Sequence, residues 1–324
     1  MIEYKVLSRK YRPKKLKEVI GQDFTVQTLT NAFAKEKLAH AFLFTGIRGV
    51  GKTTIARIIA MGLNCETENK PIANPCGICS NCKAILQDRY EDVLEIDAAS
   101  NTGVDDVREI ISSLKYRPSK GSYKVFIIDE VHMLSNSAFN ALLKTIEEPP
   151  SFVKFIFCTT EMQKIPITIV SRCQKYNLNR VTLTALCNYL EEIAELEKLD
   201  ISKEAIAVIA RNSEGSIRDS LTILDQCILS FNNENIDVES VNQTMGLTSQ
   251  SLLLDIYINI VNGDIVNANK VLHNIYKNGA APKQIIDDLL NVTYSLISSL
   301  AANTNIEIYE KDKFQTIIDK CDIS

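Results

Sequence analysis

One segment, a glycine-rich loop near the start of the chain, restricts the possible folds more than any other part of the sequence. The loop fits the pattern G-x-x-x-x-G-K-T; a strand-like apolar run precedes it, and helical spacing begins at Thr53. Glycines let the backbone approach phosphate oxygens closely, and the following helix adds the positive end of its dipole. The loop therefore predicts a nucleotide-phosphate site, the alternative being a glycine-rich turn that matches by chance. The residues expected to bind the nucleotide here are Gly46, Ile47, Arg48, Gly49, Val50, Gly51, Lys52, Thr53 and Thr54.

A second segment supplies acidic side chains that suit this loop. The apolar run 125–128 predicts a buried strand, and Asp129 and Glu130 follow it directly. In parallel sheets, ligands bind at the carboxyl ends of the strands. We expect Asp129 and the Thr53 hydroxyl to hold Mg²⁺, Lys52 to reach the terminal phosphates, and Glu130 to orient and activate the attacking water. The alternative is an exposed strand end that is acidic by coincidence; the acidic pair favours hydrolysis over nucleotide retention.

The hydrophobic pattern predicts an α/β fold followed by helices. Over residues 1–180, β-branched and aromatic runs alternate with helical segments, as in a parallel sheet covered on both faces. Beyond 181 the periodicity is helical, which predicts a three-helix segment over 181–244 and an all-helical segment over 245–324. The last pattern reaches Ser324 without a stop signal, so we expect this segment to be truncated. The predicted strands are 41–44, 93–96, 124–128, 154–158 and, more weakly, 174–178; the predicted later helices are 186–196, 201–212, 216–231, 252–261, 265–276 and 282–300.

Four of the nine cysteines lie in one short stretch, at Cys65, Cys76, Cys79 and Cys82. Four thiolates close the coordination sphere of tetrahedral Zn²⁺, so the stretch predicts a structural zinc site and not a catalytic one. An iron–sulfur cluster or unligated thiols are the alternatives. The other five cysteines are scattered, which favours ordinary buried thiols in a reducing compartment.

The charge balance excludes a uniformly basic nucleic-acid-binding protein. Lys plus Arg number 36 and Asp plus Glu number 40, which gives a net charge of −4. The charge balance does not exclude a local basic face, because the first 17 residues carry seven basic side chains and one acid. No apolar run is long enough to span a membrane, and the first residues lack the apolar core of a signal peptide. We therefore expect a cytoplasmic protein with no membrane partner.

Several longer motifs occur together: KYRP at 10–13, the phosphate loop, GLNC at 62–65, EIDAAS at 95–100, DEVHML at 129–134, ALLKTIEEPP at 141–150 and SRC at 171–173. With these motifs the chain resembles, over about residues 1–245, the gamma/tau subunits of bacterial DNA polymerase III clamp loaders, which are AAA+ ATPases. The delta-prime subunits of these complexes fit less well, because they lack a working phosphate loop. Eukaryotic clamp-loader subunits lack the four cysteines. The spacing from Cys65 to Cys76 is slightly longer than usual for the family.

The resemblance implies an AAA+ core over 1–180 with a zinc-binding insertion at 65–82, a lid over 181–244 and a helical collar over 245–324. It implies that ATP is bound and hydrolysed to open the β sliding clamp and to load it onto primed DNA during chromosomal replication. The chain would then be classed with a DNA-directed DNA polymerase holoenzyme although it carries no polymerase site. The implied partners are the delta, delta-prime and further gamma/tau subunits of a five-membered ring, the clamp, primed DNA, and the polymerase core through a C-terminal region absent here.

The resemblance also implies roles for individual residues. Arg172 would act in trans as an arginine finger, Arg218 would be the second sensor, and Thr160 would be the first sensor, which orients the lytic water. From spacing alone, Arg172 and Arg218 are better interpreted as surface ion-pair partners. The three histidines, His40, His132 and His273, are isolated in the sequence and are interpreted as structural. The residues implied to pack near the adenine are Tyr11, Arg12, Val19 and Ile20.

Two other functions share the same nucleotide core: a DNA helicase or branch-migration enzyme, and an assembly scaffold that does not hydrolyse nucleotide. The cysteine stretch and the ALLKTIEEPP motif favour the clamp-loading ATPase.

Overall fold

The computed structural model describes residues 4–68, 70–100, 103–114, 116–231, 236–246, 250–277, 281–302, 313, 316 and 317. The chain divides into two compact units. Unit 1 contains Met1–Ile193 and Ile209–Asp225, and unit 2 contains Ala194–Val208 and Gln226–Ser324. The predicted three-part division at 181 and 245 stays a prediction.

Unit 1 is built on a five-stranded parallel sheet, which confirms the predicted fold class. Its strands are β1 (Ala41–Thr45), β2 (Val93–Asp97), β3 (Lys124–Asp129), β4 (Val153–Thr159) and β5 (Gln174–Asn177). The strand order is β2-β3-β4-β1-β5. In this register Thr45 lies opposite Thr159, and Asp97 lies opposite Asp129. The carboxyl ends of the strands therefore meet at one edge of the sheet, where ligands bind in such folds.

The six helices predicted beyond residue 181 agree with the structure within a few residues at each end, and one short helix among them was missed by the sequence analysis. That helix, Val238–Met245, begins after Asp237, whose carboxylate accepts a hydrogen bond from the backbone N–H of Ser240. Within the described residues, short 3₁₀ helices lie at Leu16–Glu18, Val131–Met133 and Met162–Lys164. The α-helices are α1 (Leu7–Lys10), α2 (Asp23–Ala34), α3 (Lys52–Asn64), α4 (Ser80–Leu86), α5 (Val104–Ser113), α6 (Asn136–Glu147), α7 (Ile167–Val170), α8 (Leu183–Glu197), α9 (Lys203–Asn212), α10 (Ile217–Phe231), α11 (Val238–Met245), α12 (Gln250–Val261), α13 (Ile265–Lys277) and α14 (Pro282–Ala302).

Both faces of the sheet are buried at its central strands β1, β3 and β4, because helices cover each face, whereas the edge strands β2 and β5 are partly exposed. Successive residues of a strand point to opposite faces. Phe42 and Phe44 of β1 accordingly pack in the core that contains the apolar face of α3, whereas Leu43 packs in the core that contains α5 and α6. Tyr176 of β5 stacks on Phe44 with ring centroids 5.1 Å apart. These two cores fix the sheet that carries the loop and the acidic strand end.

The described part of unit 2 is helical apart from a single bridge between Ile201 and Ile236. Helix α12 packs against α13 and α14 around buried side chains that include Leu254, Ile275 and Val292. Among the described helices, none combines the length and apolar character needed to cross a bilayer.

Candidate nucleotide site

A cavity of about 1010 Å³ in unit 1 lies beside the carboxyl ends of β2 and β3. Pockets for ligands of nucleotide size are typically about 300–1,000 Å³, so the cavity has room for a nucleoside triphosphate. The candidate residues Asp129, Glu130 and Arg218 line it. The predicted nucleotide-binding residues that line it are Tyr11, Arg12, Val19, Ile20, Arg48, Gly49, Val50, Gly51, Lys52, Thr53 and Thr54.

The loop between β1 and α3 needs glycine at two close approaches. A Cβ atom on Gly46 would lie 2.6 Å from the carbonyl oxygen of Leu178, and one on Gly49 would lie 2.1 Å from Oγ of Ser216. Both glycines have positive φ, +148° and +77°, a conformation that side chains rarely adopt. The loop therefore depends on glycine for its shape as well as for access to phosphate.

The side chain of Lys52 is held inside this loop. Its ammonium group donates hydrogen bonds to the carbonyl oxygens of Gly46 and Ile47, each at 2.9 Å. These two predicted residues are not among the described residues that line the cavity, but they hold Lys52 in place. Burial lowers the pKa of Lys52, and the acidic side chains of Glu130 and Asp129 oppose that shift. A desolvated ammonium with only dipoles as partners is a strong anion site, because phosphate oxygens can replace the carbonyls.

The predicted magnesium ligands are in contact. The Thr53 hydroxyl donates to Oδ2 of Asp129 at 2.7 Å, although the residues are 76 positions apart. Adjacent oxygens around octahedral Mg²⁺ lie about 3 Å apart, since each metal–oxygen bond is about 2.1 Å. The two oxygen donors therefore fit Mg²⁺, in chemistry and in spacing.

Glu130 follows Asp129 in a left-handed conformation, with φ +45°. Such a conformation is uncommon for a side chain other than glycine and concentrates at functional sites. Its carboxylate oxygen Oε2 accepts hydrogen bonds from the backbone N–H and the hydroxyl of Thr160, at 3.3 and 3.1 Å. The predicted first sensor thus contacts the predicted water-activating residue directly. His132 also lies beside Glu130, a position that the isolated histidine did not indicate in the sequence.

Cationic side chains make one side of the cavity electropositive. Burial lowers the pKa of Arg12, and the neighbouring charge of Arg57 adds to the effect. Arg57 itself is neutralised by Glu95, with bonds of 2.6 and 2.8 Å, and by Asp88 at 3.1 Å. Arg218 reaches the same cavity from α10. This arrangement favours a polyanionic ligand.

Arg172 is not among the described residues that line the cavity. Its guanidinium forms an ion pair with Glu147 and donates to the carbonyl oxygen of Thr168 at 2.7 Å. The surface ion pair that spacing favoured is therefore present, and any role in catalysis would have to be at another site.

The four clustered cysteines converge, with their sulfur atoms all within 4.8 Å of one another. Tetrahedral Zn–S bonds of about 2.3 Å place sulfurs about 3.8 Å apart, so the cluster fits zinc in donor type and size. Burial raises the pKa of the Cys65 thiol, but hydrogen bonds from Cys76 and Thr67 outweigh that effect and lower it to about 6. Backbone N–H groups also point at Cys76 and Cys79, as they do towards thiolates.

Several residues lining the cavity were missed by the sequence analysis. Tyr189 of α8 and Ile217 and Leu221 of α10 had no signal that separates them from ordinary core positions. Asp97 ends β2, so the strand-end rule used for Asp129 would have found it. The N-terminal segment also contributes more than predicted, including Tyr4, Val6 and Arg9.

Comparison with protein families matches three successive stretches of the chain. Residues 21–182 match the family described as DNA polymerase III, delta subunit. Residues 185–233 match the DNA polymerase III clamp loader subunit ATPase lid domain. Residues 236–318 match domain III of the DNA polymerase III subunits gamma and tau.

The curated proteins that resemble this chain are named as subunits of DNA polymerase III. The chain is 42% identical to DNA polymerase III subunit tau of Bacillus subtilis over 89% of its own length and 51% of that relative. It is 36% identical to DNA polymerase III subunit gamma of Buchnera aphidicola subsp. Acyrthosiphon pisum over 98% of its length and 88% of that relative. The chain thus spans about half the length of the Bacillus tau subunit.

Among solved structures, the RuvB Holliday junction branch migration motor of Thermotoga maritima resembles the chain with a TM-score of 0.54 and 24% identity. The similarity covers 78% of this chain and 79% of that one. At this identity the likeness supports the AAA+ fold alone.

Proposed function

Since the chain belongs to the gamma/tau family of DNA polymerase III clamp-loader subunits, we propose that it binds and hydrolyses ATP to open the β sliding clamp and load it onto primed DNA. The observation that carries this proposal is the meeting of Lys52, the Thr53–Asp129 pair and Glu130 at one cavity of triphosphate size. Chromosomal replication in the cytoplasm is the setting that the proposal implies.

The proposed chemistry depends mainly on positioning and charge. Lys52 and the loop N–H groups would bind the terminal phosphates, and Arg12 and Arg218 would add positive charge beside them. Thr53 and Asp129 would hold Mg²⁺, which supplies charge neutralisation on the phosphates when bound. Glu130, fixed by Thr160, would orient a water molecule and accept its proton. This division of roles is that of a hydrolase, whereas a scaffold would need only the binding residues.

We further propose that Arg172 acts on the nucleotide of an adjacent subunit. It lies on the surface, about one third exposed, and its partner Glu147 is also exposed. An exposed ion pair is held weakly, so a phosphate on a neighbouring subunit can compete for the guanidinium. The proposed partners are the delta, delta-prime and further gamma/tau subunits in a ring.

An apolar stripe on α14 supports assembly through the predicted collar. Ile286, Leu290, Tyr294 and Ile297 recur at helical spacing and are 59%, 61%, 74% and 59% exposed. The opposite face of α14 is buried in unit 2 through Ile285, Val292 and Leu296. A helix with apolar side chains on both faces favours burial against a further helix of a partner subunit.

The function is tested by ATP turnover of the chain assembled with delta and delta-prime subunits, with and without clamp and primed DNA. We expect clamp plus primed DNA to stimulate turnover, because loading couples hydrolysis to clamp release. Turnover unchanged by clamp and primed DNA would contradict clamp loading. If branched DNA stimulated turnover instead, the result would favour a branch-migration motor. Absence of any turnover would favour the scaffold.

In the same assembly, Arg172→Ala tests the action in trans. The variant should bind ATP normally and hydrolyse it more slowly by a factor of about 10² or more, because arginine fingers stabilise charge in the transition state. Arg180→Ala removes another surface arginine, paired with Glu214 at 2.9 Å, and should have no effect. Full activity of an assembly with Arg172→Ala at every site would contradict the role.

We also propose that Cys65, Cys76, Cys79 and Cys82 hold one structural zinc ion. Purified protein should contain one zinc per chain, and removal by a chelator should lower Tm, because binding energy at such sites is folding energy. Cys82→Ser should lose the metal, whereas Cys187→Ser, outside the cluster on α8, should retain it. Much less than one zinc per chain, with no change in Tm on chelation, would refute the site; iron in its place would indicate a cluster.

A further inference from the structure

His132 lies within contact distance of two carboxylates. Its side chain is only 7% exposed; Nδ1 is 3.4 Å from Oε2 of Glu130, and Nε2 is 3.4 Å from Oε1 of Glu161. Nδ1 also lies 2.9 Å from the hydroxyl of Thr159. The Thr159 hydroxyl is the partner at ordinary hydrogen-bond length, and the two carboxylates lie slightly further away, one beside each ring nitrogen.

The partners of His132 are themselves held in place. Thr159 is fully buried at the end of β4, and its hydroxyl accepts the backbone N–H of Glu161 at 3.0 Å. Lys164 donates to Glu161 at 2.9 Å, and this hydrogen bond holds the pKa of Glu161 below its ordinary value. Glu161 is therefore an ionised acceptor on the side of the ring opposite Glu130.

The orientation of the Glu130 carboxylate depends on such contacts. The terminal torsion of a glutamate has broad, roughly two-fold preferences, so rotamer preference alone leaves the plane of the carboxylate undefined. Contacts from the hydroxyl and N–H of Thr160 and from His132 converge on the single oxygen Oε2. Three contacts on one oxygen fix that plane, and contacts of this kind tighten when a substrate binds.

We propose that His132 is a positioning residue, which holds the carboxylate of Glu130 in the orientation needed to activate water and anchors it, through Glu161, to the segment that follows β4. This role rests on the proposed ATP hydrolysis. A water-activating group that is misplaced by about 1 Å can cost about 10²-fold in rate. His132→Ala should therefore lower kcat for ATP roughly 10- to 100-fold while ATP affinity changes less than about twofold.

Two near-isosteric variants distinguish positioning from packing. His132→Asn places an amide nitrogen near the position of Nδ1 and can contact Glu130, whereas His132→Gln places it near Nε2 and can contact Glu161 only. We expect Asn to restore kcat to within about threefold of the unsubstituted protein and Gln to remain as slow as Ala. His40→Asn changes an exposed histidine next to β1 and should alter neither parameter.

A double variant tests whether His132 acts through Glu130. In a Glu130→Gln background, His132→Ala should reduce single-turnover hydrolysis less than about twofold further, because the group it positions is gone. Equal kcat for the Ala, Asn and Gln variants, rescue by Gln and not by Asn, or a full additional loss in the Glu130→Gln background would overturn the inference. If the unsubstituted protein hydrolyses no ATP, the proposed function fails first; if it does and these variants match it, only the role of His132 fails.

Discussion

Replacing Lys52 by alanine is expected to weaken ATP binding by about 10²-fold, because charge-assisted contacts to phosphate are worth about 1.5–3 kcal/mol each and Lys52 can make more than one. Its ammonium group is buried and donates hydrogen bonds to the carbonyls of Gly46 and Ile47. Burial has already removed most of the water from this charge, so little further desolvation accompanies phosphate binding. The measurement is ATP affinity by titration calorimetry or by a fluorescent analogue.

The same substitution also removes the hydrogen bonds from Lys52 to the loop carbonyls, so stability must be measured separately. Thermal unfolding of Lys52→Ala, compared with Lys37→Ala at an exposed position of unit 1, separates a binding defect from a loss of stability. Equal ATP affinity of Lys52→Ala and the unsubstituted protein would contradict the assignment of the loop. A binding loss with unchanged Tm would support it.

Replacing Glu130 by glutamine should lower ATP turnover by about 10²-fold or more while ATP binding is retained, because an amide cannot accept the proton of the attacking water. Glutamine has the same shape and keeps an acceptor oxygen for Thr160. The left-handed backbone at Glu130 is unaffected by this exchange, so the loss should appear in kcat and not in stability. Steady-state and single-turnover kinetics measure ATP turnover and ATP binding.

Glu109→Gln, on the surface of α5, is the matched control and should leave kcat unchanged. Unaltered turnover in Glu130→Gln would refute the base assignment. It would also be the result expected of a protein that binds nucleotide only to assemble.

The sequence predicted those features whose structure and chemistry depend on residues close together in the chain. The strand–loop–helix geometry around the phosphate loop is set by residues close in sequence, so the pattern was enough to identify it. Strands β1 to β4 were predicted in the same way, because continuous apolar runs such as 125–128 are typical of strands buried on both faces, whereas β5 has a weaker signal. The cysteine stretch is also local, and its four sulfurs converge as predicted.

Patterns were weaker where a contact depends on a distant partner. Helix α11 is short, and its capping contact between Asp237 and Ser240 is a modest signal. Tyr189 and Ile217 have apolar spacing that serves a helical core equally well, and only packing shows that they line the cavity. Arg172 differs from these residues. Its ion pair with Glu147 is seen within one chain, whereas its proposed role needs a neighbouring subunit.

The sequence by itself determined the strand runs, the phosphate loop, the acidic strand end and the cluster of four cysteines, because each is encoded in a short run of residues. The tertiary structure alone decided that β3 lies beside β4, and with it that Glu130, His132 and Thr160 meet. Strand order depends on how both faces of the sheet are packed by helices from distant parts of the chain. No local pattern contains that balance of packing, so the environment of the candidate base could be read only from the folded protein.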